Sequence, residues 1–416
     1  MSSAVVGEIH ESPWATRPFA ELARTFSDGD WIESKDQSPS GVRLLQTGNV
    51  GIGEFKDRSE KARYITAATF ERLNCTDVLP GDILVSRLPD PVGRACIVPK
   101  FDGRSITAVD CTIVRLNDEL LVPEFFVYFS QSDAYLKSVS ELCTGSTRSR
   151  ISRSALGQIG VPLPPLEEQK RIVAKLDQAF AALDRVRVNA EANLADARGL
   201  QAQALEDVLS DPELGKCEPC GSHVDLLSGF AFKSAGYSVE EGDIRLVRGD
   251  NIVQGGFRWS GVMRWPESDR AAYQKYELAK GDVLVAMDRT WVSAGIKYAV
   301  VDEEALPSLL VQRVARLRAL PSLLPAYLAA WIGSPLFERY VLSIQTGLGV
   351  PHVSGGQIES FEMRVPSLGE QSKVVRKLGE VLQGCEKLSM TCERNLADIA
   401  ALRQSLLHAA FSGQLT

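Results

Sequence analysis

The chain has 416 residues, a mass of 45.4 kDa and a formal net charge of −7. This length suggests two or three domains, and 44% hydrophobic with 24% charged residues is typical of a protein that buries ordinary cores. The negative charge argues at first against a nucleic-acid binder, because phosphate contacts need Lys and Arg. The most apolar stretch, residues 323–332, is too short to span a membrane. No secretion signal is recognisable, so the eight cysteines are expected to be free thiols in the cytoplasm.

The first part of the chain predicts an α+β domain over residues 1–165, including an N-terminal extension. Short β-branched runs between Gly and Pro residues predict strands at residues 42–45, 82–85, 95–98 and 112–116. The apolar pattern of residues 123–139 opens at a proline that suits the first turn of a helix.

A long helix is predicted next, within residues 166–210 and starting near Glu167. Apolar residues follow one another at alternating steps of four and three, which is the seam of a coiled coil. The predicted seam includes Ile172, Leu176, Leu183, Val186 and Asn193. A helix of this length extends roughly 60–65 Å at 1.5 Å per residue. An acidic linker, residues 211–225, follows it.

The second half of the chain repeats the first at an offset close to 202 residues. The NLAD sequence of residues 193–196 returns at 395–398, and GDILV at 81–85 returns as GDVLV at 281–285. This period is too long for a solenoid unit and indicates a duplicated domain with its connecting helix. A second α+β domain is therefore predicted at residues 211–366, with strands at 244–247, 283–286, 297–301 and 311–317 and a helix at 324–342.

A second long helix is predicted at residues 367–416, where Ser367 and Glu370 form a capping-box pattern. Its seam includes Leu378, Val381, Leu388, Asn395 and Leu402. The two seams are expected to pack in antiparallel fashion and to hold the two domains apart. Asn193 and Asn395 occupy the same seam position, where a buried polar residue would set register; the alternative is a solvated part of the seam.

No residue pattern predicts chemistry by this chain. A P-loop, a glycine-rich cofactor loop and an Asn/Asp-Pro-Pro-aromatic sequence are all missing from the sequence. Two Glu-x-Lys matches, at residues 33–35 and 54–56, are expected by chance in a charged chain. Cys217, Cys220 and His223 have the spacing of zinc ligands but lack a fourth. A pair of free thiols is the simpler interpretation, and no metal is predicted.

The motifs at the helix ends carry a family resemblance. A Pro-x-Leu-x-Glu-Gln sequence starts each long helix, at residues 164–169 and 366–371, and the chain ends with LRQSLLHAAFSG at 402–413. Thr-Gly pairs precede both helices at residues 144–145 and 346–347. Over nearly its whole length this arrangement resembles the specificity subunit of type I restriction–modification enzymes.

The resemblance implies two α+β target-recognition domains separated by two long antiparallel coiled-coil helices, with pseudo-twofold symmetry. It implies that each domain reads one half of a bipartite, asymmetric site in double-stranded DNA. The helices would set the spacer and dock two methyltransferase subunits, and restriction subunits would join the complex. The chain would be no enzyme and hold no cofactor, since S-adenosylmethionine and ATP with Mg²⁺ would bind the partner subunits.

Two other readings remain open. One is the same scaffold in a methylation-only or phase-variable system without a nuclease, or as an antirestriction-like decoy. The other is a coiled-coil adaptor that binds protein alone.

Three loops of each domain offer side chains for DNA, because Arg commonly reads guanine and Asn reads adenine. The candidates follow the strands that begin each domain, the Gly-Asp strands, and the Thr-Gly pairs. They are Asn49, Arg87, Arg94, Thr144, Arg148, Arg150 and Arg153 in the first domain, and Arg248, Asn251, Arg289, Thr290, Trp291, Thr346 and His352 in the second.

The distribution of charge removes the initial objection to DNA. The acidic excess lies mainly in residues 1–40 and in the linker, whereas both domains are close to neutral. Their basic residues are mostly arginines, which suit groove reading. We therefore expect specific recognition with weak non-specific affinity in the isolated chain.

Overall fold

The computed structural model describes residues 13–145, 149–292, 295–344 and 351–415. The chain divides into two compact units, Met1–Ala190 with Arg394–Thr416 (unit 1) and Glu191–Glu393 (unit 2). Each unit combines an α+β domain with parts of two long helices, which confirms the predicted fold class. The domain limits drawn from the sequence stay predictions. Among the described residues no helix is both long and apolar enough to cross a membrane.

Among its described residues, unit 1 has ten strands in three sheets. The strands are β1 (Thr16–Pro18), β2 (Ala23–Asp28), β3 (Gln37–Ser38), β4 (Val42–Leu45), β5 (Arg63–Ile65), β6 (Ile83–Ser86), β7 (Ala95–Ile97), β8 (Ser105–Thr107), β9 (Cys111–Leu116) and β10 (Gly160–Pro162). An antiparallel sheet has the order β2-β9-β6-β7, a mixed sheet has β3-β5-β4-β8, and β1 pairs with β10. The helices are α1 (Ala67–Leu73), α2 (Pro123–Phe129), α3 (Asp133–Glu141), α4 (Arg153–Gly157) and the start of α5 (Leu166–Leu209).

Unit 2 repeats this topology. Its strands are β11 (Cys217–Pro219), β12 (Val224–Ser228), β13 (Ile244–Val247), β14 (Arg264–Trp265), β15 (Val283–Ala286), β16 (Trp291–Val292), β17 (Gly295–Ile296), β18 (Tyr298–Val300), β19 (Ser308–Leu310), β20 (Val314–Ala319) and β21 (Glu362–Arg364). The order β12-β20-β15-β18 corresponds to β2-β9-β6-β7, β14-β13-β19 to β5-β4-β8, and β11-β21 to β1-β10. The helices are α6 (Pro325–Ile332), α7 (Pro335–Ile344), α8 (Gly355–Glu359) and α9 (Leu368–Phe411).

Two helices predicted as continuous are each broken in the structure. Residues 123–139 form α2 and α3, and residues 324–342 form α6 and α7. The breaks follow from local capping, since the Ser132 hydroxyl accepts a hydrogen bond from the Tyr135 N–H (3.3 Å). Ser334 accepts equivalently from Phe337 (3.4 Å), just before a proline that starts the next helix.

A buried glutamine anchors the start of each long helix to its domain. In unit 1, Gln169 is fully buried; its Oε1 accepts from the Val122 N–H at 2.8 Å. Its Nε2 donates to the carbonyls of Leu120 and Pro164, both at 2.9 Å. In unit 2, Gln371 makes the same three contacts, at 2.8, 2.9 and 2.8 Å, to Leu324, Ser322 and Pro366. These contacts explain why both helix starts share the glutamine.

The main core of each unit joins its domain to segments of both long helices. In unit 1, Phe126 and Tyr135 pack in one cluster with Leu176 of α5 and Leu407 of α9. In unit 2 the corresponding cluster contains Leu205 and Leu209 of α5 with Val374 and Leu378 of α9. Within each unit, therefore, the two helix segments run in opposite directions, as the resemblance implied.

The buried stripe of α5 departs from the predicted seam. Ile172 and Leu176 are buried and Leu183 is half-buried, but Val186 is 51% exposed and Asn193 is also exposed. Ala190 and Ala197, which continue the seven-residue spacing of Leu176 and Leu183 and belong to the same predicted seam, are buried, and Leu194 is half-buried. One of the two sets of seam positions is therefore covered, whereas Val186 and Asn193 of the other set face solvent.

The same correction applies to α9. Leu378 is buried, whereas Val381, Leu388 and Leu402 are 40–49% exposed and Asn395 is exposed. Half-buried neighbours one residue further along, among them Leu382 and Leu396, take their place. Asn193 and Asn395 thus lie at solvated positions and do not act as buried register residues.

Candidate nucleic-acid interface

Five charged side chains of unit 1 meet at one end of its antiparallel sheet. They lie on the adjoining ends of β2, β6 and β9 and on the segment that leads into α4. Strand pairing brings them together, because Asp28 pairs with Thr112 and Ser86 pairs with Cys111. We call this group the arginine cluster: Asp28, Arg87, Asp110, Arg150 and Arg153.

Two aspartates hold the three arginines of the cluster. Asp28 Oδ1 lies 3.2 Å from Arg87 Nη2, and its Oδ2 lies 3.7 Å from Arg153 Nε. Asp110 Oδ1 lies 3.2 Å from Arg150 Nη2. The side chains of Arg150 and Arg153 are each 47% exposed, whereas that of Arg87 is 5% exposed. Arg87 is therefore the buried base of the cluster and the other two arginines face solvent.

Burial sets the properties of Arg87. Desolvation lowers the pKa of its guanidinium, and the neighbouring Asp28 carboxylate opposes that effect. Its Nη2 donates to the Val109 carbonyl, while Nε is buried without a hydrogen-bond partner among the described residues. Its peptide N–H and C=O join Asp110 (2.9 Å) and Ile151 (3.3 Å). Arg87 thus ties the three chain segments of the cluster together.

The loop that carries the solvent-facing arginines is closed by a backbone bridge. Thr144 and Arg150 exchange two N–H to C=O hydrogen bonds of 2.9 Å. Thr144 is exposed at this bridge. The predicted contact Arg148 lies outside the described residues.

Unit 2 has five positions equivalent to the arginine cluster. Ser228 and Ala286 pair with Ala315 and Val314, as their counterparts do in unit 1. The Val353 N–H donates to the Met287 carbonyl at 2.9 Å, which matches the contact between Ile151 and Arg87. The equivalent residues are Ser228, Met287, Arg313, His352 and Gly355, in the order used for unit 1.

The chemistry at these positions differs between the units. Ser228 Oγ lies 3.8 Å from Met287 Sδ, where unit 1 has an aspartate–arginine pair. Arg313 (3.6 Å) and His352 (2.6 Å) both contact Asp288, a residue outside the equivalent set. Unit 2 therefore keeps the backbone frame of the cluster but carries far less charge within it.

The predicted contacts that follow β15 have separate environments. Arg289 is exposed, with φ +47°, and its N–H donates to the Pro351 carbonyl at 2.8 Å. Thr290 is 1% exposed and its hydroxyl donates to the Met287 carbonyl. Trp291 donates from Nε1 to Glu338 at 2.7 Å. Thr346 lies outside the described residues.

The two predicted asparagines have the same structural role. Asn49 Oδ1 accepts from the Gln46 N–H at 2.9 Å, and its Nδ2 donates to the Lys56 carbonyl at 2.9 Å. Asn251 makes the matching bonds to Arg248 and Arg258, at 3.2 and 3.1 Å. Both are buried, and their amides hold the turn that follows β4 in unit 1 and β13 in unit 2. In this conformation neither amide is free for a base edge.

Arg94 is also committed to the fold. It is 8% exposed and donates to the carbonyls of Val50, Leu88, Pro91 and Thr47 at 2.7–2.9 Å. Arg248 of unit 2 is half-buried, and its Nε has no hydrogen-bond partner among the described residues.

Sequence reasoning missed several features of this region. The aspartates that hold the arginines lie far from them in sequence, and Trp31, just beyond β2, is 71% exposed.

Cys217 is exposed, Cys220 is buried, and His223 contacts Glu218 at 2.9 Å and Ser322 at 3.0 Å. Among the described residues no group of three or more His, Cys, Asp or Glu side chains is arranged to hold a metal ion.

Comparison with known proteins identifies the scaffold. Residues 12–194 match the family model for the type I restriction modification DNA specificity domain. The EcoAI specificity subunit of Escherichia coli is 32% identical over 193 residues, which cover 46% of this chain and 31% of that subunit. The EcoKI specificity subunit of E. coli K12 is 23% identical over 321 residues, covering 74% of this chain and 68% of that relative. The match to EcoAI thus spans about a third of that relative's length.

Solved structures share the fold at low identity. A chain from a structure of a type I R-M system has a TM-score of 0.76 and 19% identity, covering 97% of this chain and 99% of that one. The HsdS subunit from Thermoanaerobacter tengcongensis has a TM-score of 0.50 and 20% identity, with 96% and 97% covered. Residues 12–194 thus carry a type I restriction modification DNA specificity domain, and the chain is similar to the specificity subunits of type I restriction enzymes.

Proposed function

We propose that this chain is the DNA-recognition subunit of a type I restriction–modification complex, and that its two domains each read one half of a bipartite, asymmetric site in double-stranded DNA. One observation carries the proposal. The two units share strand order and backbone contacts around five equivalent positions, yet the side chains there differ. A common frame with exchanged side chains suits two modules that bind one polymer and read different sequences in it.

The side chains at the sheet end of unit 1 suit a nucleic acid. Arg150 and Arg153 are half-exposed and held in place, and Arg forms bidentate contacts with guanine or with phosphate. Unit 2 presents Arg289, Arg313 and His352 at its equivalent end. Near-neutral domains of this kind would bind non-specific DNA weakly, so the partner subunits would supply much of the non-specific affinity.

The long helices would set the spacer between the half-sites and dock two methyltransferase subunits. Their exposed apolar residues support a protein-binding role, because isolated helices seldom expose so many large side chains to water without a partner. They include Val186, Val188 and Leu402 in unit 1 and Leu200, Leu388 and Met390 in unit 2. Restriction subunits would join through this complex. S-adenosylmethionine and ATP with Mg²⁺ would bind the partner subunits. The complex would bind its DNA in the cytoplasm.

Equilibrium binding by the chain co-purified with its methyltransferase tests the proposal. The complex should bind a duplex enriched from a random library, with an affinity that falls as salt rises. The triple variant with Arg148, Arg150 and Arg153 changed to Ala should bind roughly 10-fold more weakly or worse. Arg104→Ala is the matched control, because Arg104 is 48% exposed and pairs with an aspartate elsewhere in unit 1. Failure to enrich any sequence would refute the proposal.

A further inference from the structure

We propose that unit 1 reads guanine in its half-site through Arg150 and Arg153, and that Asp110 and Asp28 position these two side chains for that purpose. Unit 2 reads its half-site without such a pair. This inference rests on the proposed DNA-recognition function and specifies the chemistry of its first half-site.

The two arginines keep N–H donors that are free to bind a ligand. A guanidinium carries five N–H donors, and the contacts described here engage one nitrogen of Arg150 and two of Arg153. Both side chains are 47% exposed. Guanine presents O6 and N7 as paired acceptors in the major groove, which matches the remaining fork of an arginine.

The aspartates of the cluster favour a base over a phosphate as the ligand of these arginines. Two aspartates lie within 3.7 Å of the cluster arginines, and their carboxylates repel a phosphate that approaches the same arginines. Guanine O6 and N7 carry no net charge and escape most of that repulsion. The arrangement therefore favours reading of a neutral base edge over binding of the backbone.

The aspartates also restrict the conformations of the two arginines. A free arginine loses side-chain rotamer entropy when it is fixed. Asp28 contacts both the buried Arg87 and the solvent-facing Arg153. It therefore links the arginine that would contact DNA to one that is packed inside the domain. Asp110 restrains Arg150 in the same way. Most of this side-chain entropy is therefore lost when the protein folds, and less is lost when DNA binds.

The equivalent positions of unit 2 carry different side chains. There Ser228, Met287 and Gly355 replace Asp28, Arg87 and Arg153, and His352 replaces Arg150. No pair of aspartate-held arginines occupies the equivalent positions among the described residues. Dependence on guanine through paired arginines is thus specific to the half-site of unit 1.

Replacement of guanine by 7-deazaguanine, which lacks the N7 acceptor, tests this inference. The site is first enriched from a random duplex library by the chain co-purified with its methyltransferase. Duplexes with 7-deazaguanine in one half-site at a time are then compared by equilibrium binding. In the half-site read by unit 1, the wild-type complex should lose about 5- to 10-fold in affinity, because one acceptor of a bidentate contact is removed.

The variants must abolish that sensitivity as well as lower affinity. Arg150→Ala and Arg153→Ala should each bind guanine and 7-deazaguanine almost equally at the position that they read, a coupling that general destabilisation does not produce. Asp28→Asn should reduce the sensitivity linked to Arg153 and leave the position read by Arg150 unchanged. Arg104→Ala should retain the full wild-type sensitivity.

Two outcomes would overturn the inference while leaving DNA recognition intact. One is an enriched bipartite site in which the arginine variants change the preference in neither half. The other is equal sensitivity to 7-deazaguanine in the wild type and in both arginine variants. Failure of the wild-type complex to enrich any sequence would instead refute the proposed function itself.

Discussion

Replacement of Gln169 by leucine tests how the long helices are fastened to the domains. The glutamine is fully buried at the start of α5 and is bonded to Val122, Leu120 and Pro164. Leucine has nearly the same size and keeps the apolar packing, but it can neither accept nor donate a hydrogen bond. The substitution therefore removes three polar contacts with little change in volume.

The expected cost is about 3 kcal/mol, taken as roughly 1 kcal/mol for each of the three hydrogen bonds. Burial of the Pro164 carbonyl without a partner raises the cost, while partial water access at Leu120 and Val122 lowers it. For a unit of about 200 residues, 3 kcal/mol corresponds to a melting temperature lower by roughly 6–12 °C.

Calorimetry of the full chain measures this effect. Gln178→Leu is the matched control, because it makes the same chemical change at an exposed position of the same helix and should alter stability by no more than about 0.5 kcal/mol. Gln371→Leu should match Gln169→Leu, because its three contacts are equivalent. A Gln169→Leu protein as stable as the Gln178→Leu control would refute the proposed anchoring role.

Three further predictions follow from burial. Arg94→Ala should lower the free energy of unfolding by about 3–5 kcal/mol in urea titrations, because four carbonyls lose their donor; a loss below about 1 kcal/mol would contradict its structural role. Leu176→Ala should cost about 2–5 kcal/mol, whereas Asn193→Leu, at a solvated position, should change stability by under about 0.5 kcal/mol. A large effect of Asn193→Leu would restore the register hypothesis. Burial raises the pKa of the Cys220 thiol to about 12, so at pH 8 it stays protonated and unreactive. Mass spectrometry after iodoacetamide treatment of the native chain should find exposed Cys217 alkylated and Cys220 protected, and equal labelling would contradict the fold there.

The repeat and the long helices were predictable because both are periodic signals. The predicted start near Glu167 lies one residue from the observed Leu166, and strands 42–45, 244–247 and 283–286 match the structure. The seam was less predictable, because alternation of four and three assumes a coiled coil. Val186 and Leu402 follow that pattern yet face solvent, whereas Ala190 and Ala197 on the same pattern are buried, so apolar spacing alone did not show which seam positions are covered.

The candidate site was only partly predictable, because residue type indicates chemistry but not burial. Asn49 and Arg94 have the right functional groups, but backbone partners occupy them, nearby in sequence for Asn49 and partly distant for Arg94. Their recurrence in the repeat as Asn251 and Lys297 reflects the shared frame, since Lys297 likewise donates to a backbone carbonyl, that of Gly249. The side chains that differ between the units, such as Arg150 and His352, are the better candidates for specificity.

The central claim is that two modules on one frame read two different half-sites. The most direct test is to map methylated bases in the genome of a host that expresses this chain with its methyltransferase. We predict one asymmetric motif in two parts separated by a gap of fixed length, in which variants at Arg150 and Arg153 alter one part alone. An unbroken motif, two identical halves, or variants that alter both parts equally would contradict the account.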